Sequence, residues 1–403
     1  MTILTSQAQP TLVFEVAKND LSQTRVVELN IEQPLADNEV LLKVSKFALT
    51  ANNISYGITG DALGYWQFFP VNNVPSDTAS NSITSTSTTN TAQQTQWGRL
   101  PVMGFADVVS SNNKDINVGE RVWGFMPMAT HLKIIAGKVN PSGFSDINPC
   151  REGLSPVYAR FDRVSTNPFY QLKNEDYDIL LRGLFTTSWL VDDFMFDNNY
   201  FDATQYLITS ASSKTSIALA FAIKQRGQRS TVGITSMANL SFVESLGCYD
   251  HVISYNDITT LDANVASILV DMAGGKKTLA AIHHHFTQQL RYSCRIGATH
   301  HGDIDITDTQ SDSLLPGAPP TFFFAPTQLK KRSLEWGVGE TMKQMNQSLL
   351  HYIDFCRSII TISHTHDLHH VNDIYQQVLA GTADASVGQI ISLDPNTLQP
   401  SKQ

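Results

Sequence analysis

The residues with the clearest chemical potential are Ser210, Ala211, Ser212, Ser213, Lys214, Thr215 and Ser216. They lie between an apolar start at Tyr206–Ile208 and apolar residues at helical spacing over Ile217–Ile223. A turn that links a strand to a helix can hold the pyrophosphate of a dinucleotide, because the first N–H groups of the helix are free and its dipole end is positive. Glycines usually form that turn, since the backbone must bend tightly and approach the phosphates. This one contains none. Its small side chains still let a phosphate approach, its hydroxyls add donors, and Lys214 can supply charge. The same run also reads as a helix start rich in N-capping residues, with Lys214 solvated.

The elements that must position this turn follow from the stretch 206–255. Gly227 stops the helix begun after Ser216, and Thr231–Ile234 reads as a second strand. Phe242–Leu246 belongs to a helix closed by Gly247, and Val252–Ile253 begins a third strand just before Tyr255. This βαβαβ order predicts a parallel sheet with its ligand at the carboxyl edge. An NAD site wants an acidic residue where the second strand ends. Thr235, Ser236, Met237, Ala238 and Asn239 stand there instead, which predicts NADP(H), with Lys214 or Arg229 supplying the charge for its 2′-phosphate. Thr235, Ser236 and Tyr255 complete the cofactor contacts expected of this unit.

A chain of 403 residues with 42% hydrophobic content suggests two domains and an ample core. A formal charge of −9 argues against nucleic acid as the partner. The four cysteines, Cys150, Cys248, Cys294 and Cys356, form neither a zinc pattern nor a disulfide framework. No signal peptide and no membrane-spanning run are read, so a soluble cytoplasmic protein is expected. Short strands at Leu12–Val16, Thr24–Leu29, Glu39–Ser45, Pro101–Ser110, Glu120–Gly124 and His131–Ile135 predict a compact, barrel-like domain. Asn52–Pro70, with Tyr65, Trp66, Phe68 and Phe69, reads as a pocket wall or as core. Residues 72–96 are almost all Ser, Thr, Asn and Gln, the composition of a flexible insertion.

Histidine is abundant but poorly arranged for a metal. His283, His284 and His285 are consecutive and point in different directions. His300 and His301 follow Gly297 at an expected sheet edge that faces the cleft. His364, His366, His369 and His370, near Asp367, include pairs spaced to share a metal, yet no Cys or Glu set surrounds them. There is no Gly-x-Ser-x-Gly elbow, and Ser213-Lys214-Thr215 lacks the glycines of a P-loop.

The order of these segments resembles the medium-chain dehydrogenase/reductase superfamily, in particular its zinc-free quinone-oxidoreductase-like branch. The resemblance is carried by EVLLKVSKFALTANNISY, PVMGFADVVSSNNKDINVGERVWGF, the βαβαβ unit, SILVDMAGGKKTLAAI, YSCRIGATHHGD and the closing HHVNDIYQQVLAGTADASVGQIISL. It covers nearly the whole chain, although each motif is eroded, and it suggests a bacterial side branch of unknown function. The resemblance implies an α/β protein with a GroES-like β-rich domain at 1–175, completed by 340–403, and a Rossmann-type doubly wound sheet at 176–339. A small-molecule substrate, a carbonyl or α,β-unsaturated compound, would lie between the two, and NADP(H) would deliver hydride. The resemblance further implies Tyr56 as proton donor and Asn53 as an orienting residue. It places Thr186 and Thr187 in a turn at the nicotinamide ribose and Gly297 beneath the nicotinamide ring. Zinc ligands are absent at the family's positions. A homodimer is compatible with the family. The alternative is a member that has lost the cofactor and kept the cleft for binding or assembly.

Overall fold

The computed structural model describes residues 9–71, 95–272, 275–296 and 314–393. The expected insertion lies outside these residues over 72–94, as do Gly297, His300 and His301. Strands β1 (Gln9–Ala17) and β2 (Asp20–Ile31) form a hairpin. Next come β3 (Glu39–Leu49), helix α1 (Ala51–Ile58) and the short β4 (Trp97–Gly98), which pairs with β1. β5 (Pro101–Ser111), β6 (Arg121–Pro127), β7 (His131–Asn140), β8 (Gly143–Asp146) and β9 (Arg160–Arg163) complete this half. They run in the order β3-β5-β6-β9-β8-β7, and β7 pairs back onto β3, so the sheet closes on itself. Alternation explains its interior: Val40, Leu42 and Val44 of β3 share one core with Val102, Val122, Ile134 and Phe161.

The second half begins with α2 (Glu175–Asp197) and continues with β10 (Gln205–Ile208), α3 (Lys214–Arg226), β11 (Ser230–Thr235), α4 (Leu240–Ser245) and β12 (His251–Ser254). β13 (Ser267–Asp271), α5 (Lys276–Phe286), β14 (Leu290–Arg295) and β15 (Pro320–Phe322) follow. The sheet order is β12-β11-β10-β13-β14-β15, with every pairing parallel. Strand order therefore reverses beside β10, which makes the β10–α3 turn a topological switch point. Gly227 ends α3 with φ +69°, the left-handed closure that glycine permits.

The chain then forms α6 (Ala325–Glu335) and α7 (Val338–Cys356), and returns through β16 (Thr361–His366), α8 (Val371–Leu379) and β17 (Val387–Ser392). β17 pairs antiparallel with β3, so the C-terminal strands extend the first sheet. The architecture is a GroES-like β-rich domain joined to a Rossmann-type parallel sheet with flanking helices. Among the described residues no helix is long and apolar enough to cross a membrane.

The two halves meet at the start of α2. Arg121 of β6 donates to both oxygens of Glu175 at 2.7 and 3.0 Å, and Tyr170 donates to the first at 2.7 Å. Lys46 of β3 lies 3.2 Å from Glu175 and 2.9 Å from Asp176. Burial pushes the Glu175 carboxyl up, but Arg121, Tyr170 and Lys46 outweigh it and hold the group below its ordinary value. Removing this carboxylate takes one partner each from Arg121 and Lys46, which keep Asp107 and Asp176, and leaves the Tyr170 hydroxyl without this acceptor. Glu175→Ala is expected to cost about 1–3 kcal/mol in urea unfolding at pH 7. Glu340→Ala, which breaks an exposed pair with Lys343, should leave the urea midpoint close to that of the wild type.

Candidate functional site

The β10–α3 turn is built without glycine, yet its backbone bends as a glycine would allow. Ser210 has φ +49°, a left-handed conformation that costs a residue with a Cβ roughly 1–2 kcal/mol. Local bonds hold it there. Its N–H donates to Tyr255 Oη at 3.0 Å, and its carbonyl accepts from Ser213 N–H at 2.7 Å. Ala211 is fully buried, and its N–H donates to the Ile234 carbonyl at 3.1 Å. Tyr249 Oη donates to the Ala211 carbonyl at 2.9 Å. Gly233 makes room for that ring: a Cβ at this position would meet Tyr249 at 2.9 Å and Ala211 at 3.1 Å.

Ser213 is the N-cap of α3, its Oγ accepting from Ser216 N–H at 3.2 Å, while Ser216 Oγ donates to the Thr209 carbonyl at 2.9 Å. Three amides of this segment, those of Ser212, Lys214 and Thr215, have no acceptor among the described residues. They are clustered at the positive end of a helix, the arrangement that receives an anion. Ser212 Oγ accepts from Asn239 Nδ2 at 3.0 Å, so the turn is tied to the segment that follows β11. Thr235 is buried at the end of β11 and Ser236 is partly exposed beside it. Ser210, Ala211, Ser212, Tyr255, Thr235 and Ser236 are thus gathered at one sheet edge. Thr209 and Asp271, which sequence reasoning had not singled out as a pair, join the ends of β10 and β13 through a 2.7 Å hydrogen bond.

Several expected roles meet different geometry. Lys214 does not extend over the turn: its Nζ donates to the Ala385 carbonyl at 3.2 Å, in the segment leading into β17. Burial pushes the amine down to about 8, with Cys356 and Asp384 opposing the shift. The residue as a whole is partly exposed, so it is the ammonium rather than the whole side chain that is enclosed. Arg229 precedes the amino end of β11 and donates to the Ala203 and Gln228 carbonyls. A six-residue strand puts it roughly 20 Å from the carboxyl edge, out of reach of a phosphate there. Thr186 and Thr187 lie inside α2 rather than in a turn, and Thr187 Oγ1 donates to the Gly183 carbonyl at 3.2 Å. Neighbouring Ser188 donates to the Thr215 carbonyl at 2.8 Å and joins α2 to the start of α3.

Asn53 and Tyr56 fall on helix α1, at the start of the segment that the sequence reads as a pocket wall or as core. Asn53 caps that helix: its Oδ1 accepts from Thr50 N–H at 2.7 Å, and its Nδ2 donates to the Pro101 carbonyl at 2.9 Å. Its amide is consumed, so it positions α1. Tyr56 is buried in an aromatic cluster with Tyr65, Phe68, Phe69 and Phe125, and Tyr158 packs against it. Its Oη accepts from Asn52 Nδ2 at 2.7 Å, which leaves its own proton for a second acceptor. Burial pushes the phenol well above its ordinary value, with Tyr158 adding to the shift. Tyr158 carried no sequence signal, because it lies in a short 3-10 turn, Pro156–Ala159, far along the chain from α1. Tyr56 and Asn53 make no hydrogen bond or ring contact with the turn residues.

The histidines are mostly accounted for by structure. His283 is buried, with its ring nitrogens 2.9 Å from the Pro316 carbonyl and 2.9 Å from Ser293 Oγ. His364 and His366 lie on strand β16, and His364 Nε2 is 3.0 Å from Asp176 Oδ2. Among the described residues no group of three or more His, Cys, Asp and Glu side chains converges to hold a metal.

The fold and this turn define a two-domain α/β protein whose switch point carries a helix start with three amides unbonded among the described residues. The chain belongs to the family described as "Protein of unknown function (DUF2855)", whose model matches residues 47–384. No curated protein matches it by sequence. By structure it is similar to CurA from Vibrio vulnificus in complex with NADPH, at 13% identity and TM-score 0.58, over 98% of this chain and 100% of that one. It is also similar to Etr1p in complex with NADP and crotonyl-CoA, at 12% identity and TM-score 0.52, over 96% and 100%. The yhdH oxidoreductase from Salmonella enterica in complex with NADP shares 10% identity at TM-score 0.51, over 96% and 100%. At these identities the likeness is one of fold.

The buried amine of Lys214 makes stability depend on pH in a defined direction. The folded protein releases this proton near pH 8, whereas an unfolded lysine holds it to 10.5, so stability rises with pH across that window. Lys214→Met removes the titration. Its gain in stability between pH 7 and pH 10, measured by urea unfolding, should be smaller than that of the wild type by roughly 2–3 kcal/mol.

Proposed function

We propose that the protein is a zinc-independent, NADP(H)-dependent oxidoreductase that reduces a carbonyl or α,β-unsaturated small molecule bound between its two domains. The observation that carries this reading is the β10–α3 turn. Three unpartnered amides at a helix start, small side chains throughout and a left-handed Ser210 together fit a pyrophosphate. CurA and Etr1p, which share the fold, were solved with NADPH and with NADP and crotonyl-CoA.

When bound, the nicotinamide supplies hydride. The chain's own contribution is to hold the pyrophosphate on the amides of Ser212, Lys214 and Thr215. Ser236 and Asn239, with no carboxylate from Thr235 to Asn239, offer neutral donors to a 2′-phosphate that an acidic residue would repel. Lys214 supports the site indirectly, by tying the start of α3 to the segment before β17. Tyr56 is the proposed proton donor, since its Oη has a spare proton and Asn53 holds the helix that carries it.

A second reading is favoured by the same turn's self-sufficiency. The N–H groups of Ser210 and Ala211 are already bonded within the protein, and the Lys214 ammonium is withdrawn from the turn. In that reading the protein retains the fold as a binding or assembly module.

Titration with NADPH and NADH, followed by quenching of the five tryptophans, separates the two. Saturable binding that prefers NADPH, and that weakens by about tenfold or more in Ser210→Val because a β-branched residue resists the left-handed bend, supports the oxidoreductase. In that event Tyr56→Phe should lower turnover by roughly a hundredfold with NADPH affinity unchanged. Absence of binding by either nucleotide at millimolar concentration leaves the module reading.

A further inference from the structure

The β-rich domain carries a cavity away from the β10–α3 turn. This cavity of about 430 Å³ is lined by Phe68, Lys138, Asp146, Arg151, Glu152 and Leu154, among others. Its volume falls within the range of small-molecule sites. Arg151 is only 7% exposed. Its Nε donates to Asp146 Oδ2 at 3.0 Å, but Nη1 and Nη2 are buried with no acceptor among the described residues. Asp146 cannot serve them further through its other oxygen, which accepts from the N–H groups of Ile135 and Asn148. The guanidinium carbon stands 4.5 Å from the Phe69 ring centre and 5.1 Å from that of Phe68. A buried guanidinium with two empty donor nitrogens is costly, and an acceptor that fills both would relieve the cost.

We propose that this cavity binds a small monocarboxylate with an apolar tail, its carboxylate taken by Nη1 and Nη2 of Arg151. The ligand class follows from the lining. A planar fork of two N–H groups matches the two oxygens of a carboxylate. Lys138 and Arg151 are balanced by Asp146 and Glu152, so the lining has no excess positive charge to hold a dianion. Phe68, Leu154, Ile147, Pro149 and Pro156 give the rest of the wall an apolar character. Phe68 lines the cavity and stands 5.1 Å from the guanidinium, so admitting the head group requires this ring to move aside. No residue of the 209–216 turn contributes to the lining, so this site is independent of the nucleotide reading.

The test is calorimetric titration of the full-length protein, without nucleotide, using hexanoate and, separately, inorganic phosphate. Saturable hexanoate binding is expected, with phosphate weaker by about tenfold or more. Arg151→Gln should weaken hexanoate by at least roughly tenfold. Ser155→Trp places a bulky ring on the cavity lining and should do the same, circular dichroism and the thermal midpoint showing that it folds. It also decides the matter should Arg151→Gln fail to fold. Absence of saturable hexanoate binding overturns the proposal. So does binding that survives Ser155→Trp, or phosphate binding as tight as that of hexanoate.

Discussion

Helix α2 has to satisfy two domains at once, and much of the structure follows from that constraint. It packs against α3, α6 and α7 on the Rossmann side and against β3, β5 and β17 of the first sheet. A helix enclosed on so many sides leaves little solvent for its charged residues. Glu175, Asp178, Asp192 and Asp193 are all buried, and each is matched by an arginine: Arg121, Arg182, Arg226 and Arg332. Buried carboxylates survive only with such partners. Asp192 shows the limit of the arrangement. One of its oxygens pairs with Arg226 at 2.8 Å while the other has no partner among the described residues, and burial pushes this carboxyl up to about 6.

Because α2 also touches the start of α3 through Ser188, the geometry of the β10–α3 turn is coupled to the domain junction. Lys214 adds a second tie, since Ala385, its acceptor, leads directly into the strand that pairs with β3. The turn is therefore clamped on both sides by parts of the molecule that also connect the domains. Its conformation does not rely on glycine. Tyr255 and Ser213 hold Ser210 in the left-handed region, and Gly233, on the neighbouring strand, supplies the space that Tyr249 needs beneath the turn. The small residue that the fingerprint places in the turn is partly replaced here by one in the adjacent strand.

The aromatic cluster around Tyr56 and the cavity beside Arg151 share Phe68, which contacts both Tyr158 and the guanidinium. One ring thus forms part of the boundary between the phenol proposed as proton donor and the proposed carboxylate site. A change of Phe68 would be felt on both sides, whereas Ser155 lines the cavity and meets the cluster through its carbonyl, which accepts from Tyr158 N–H at 3.2 Å.

Much of the fold was legible in the residues because it rests on local periodicity. The alternation of β3, the apolar spacing over Ile217–Ile223 and the stops at Gly227 and Gly247 depend only on near neighbours, and the helices and strands formed at those places. α1 was missed because its helical state rests on capping by Asn53, whose bond to Pro101 spans forty-eight positions. The location of the turn was likewise legible, as a run of small residues between a strand and a helix. Which atoms it offers was not. Whether Lys214 covers the phosphates or reaches Ala385, 171 residues away, depends on how the C-terminal segment returns to β3. Arg229 looked available until the direction of β11 put it at the wrong end of the sheet. Element type and order could be read from the residues alone, because they follow from side-chain size and spacing along the chain. Which polar groups are already bonded and which remain free emerged only in three dimensions, because those bonds join residues brought together by the closing of two sheets on one helix.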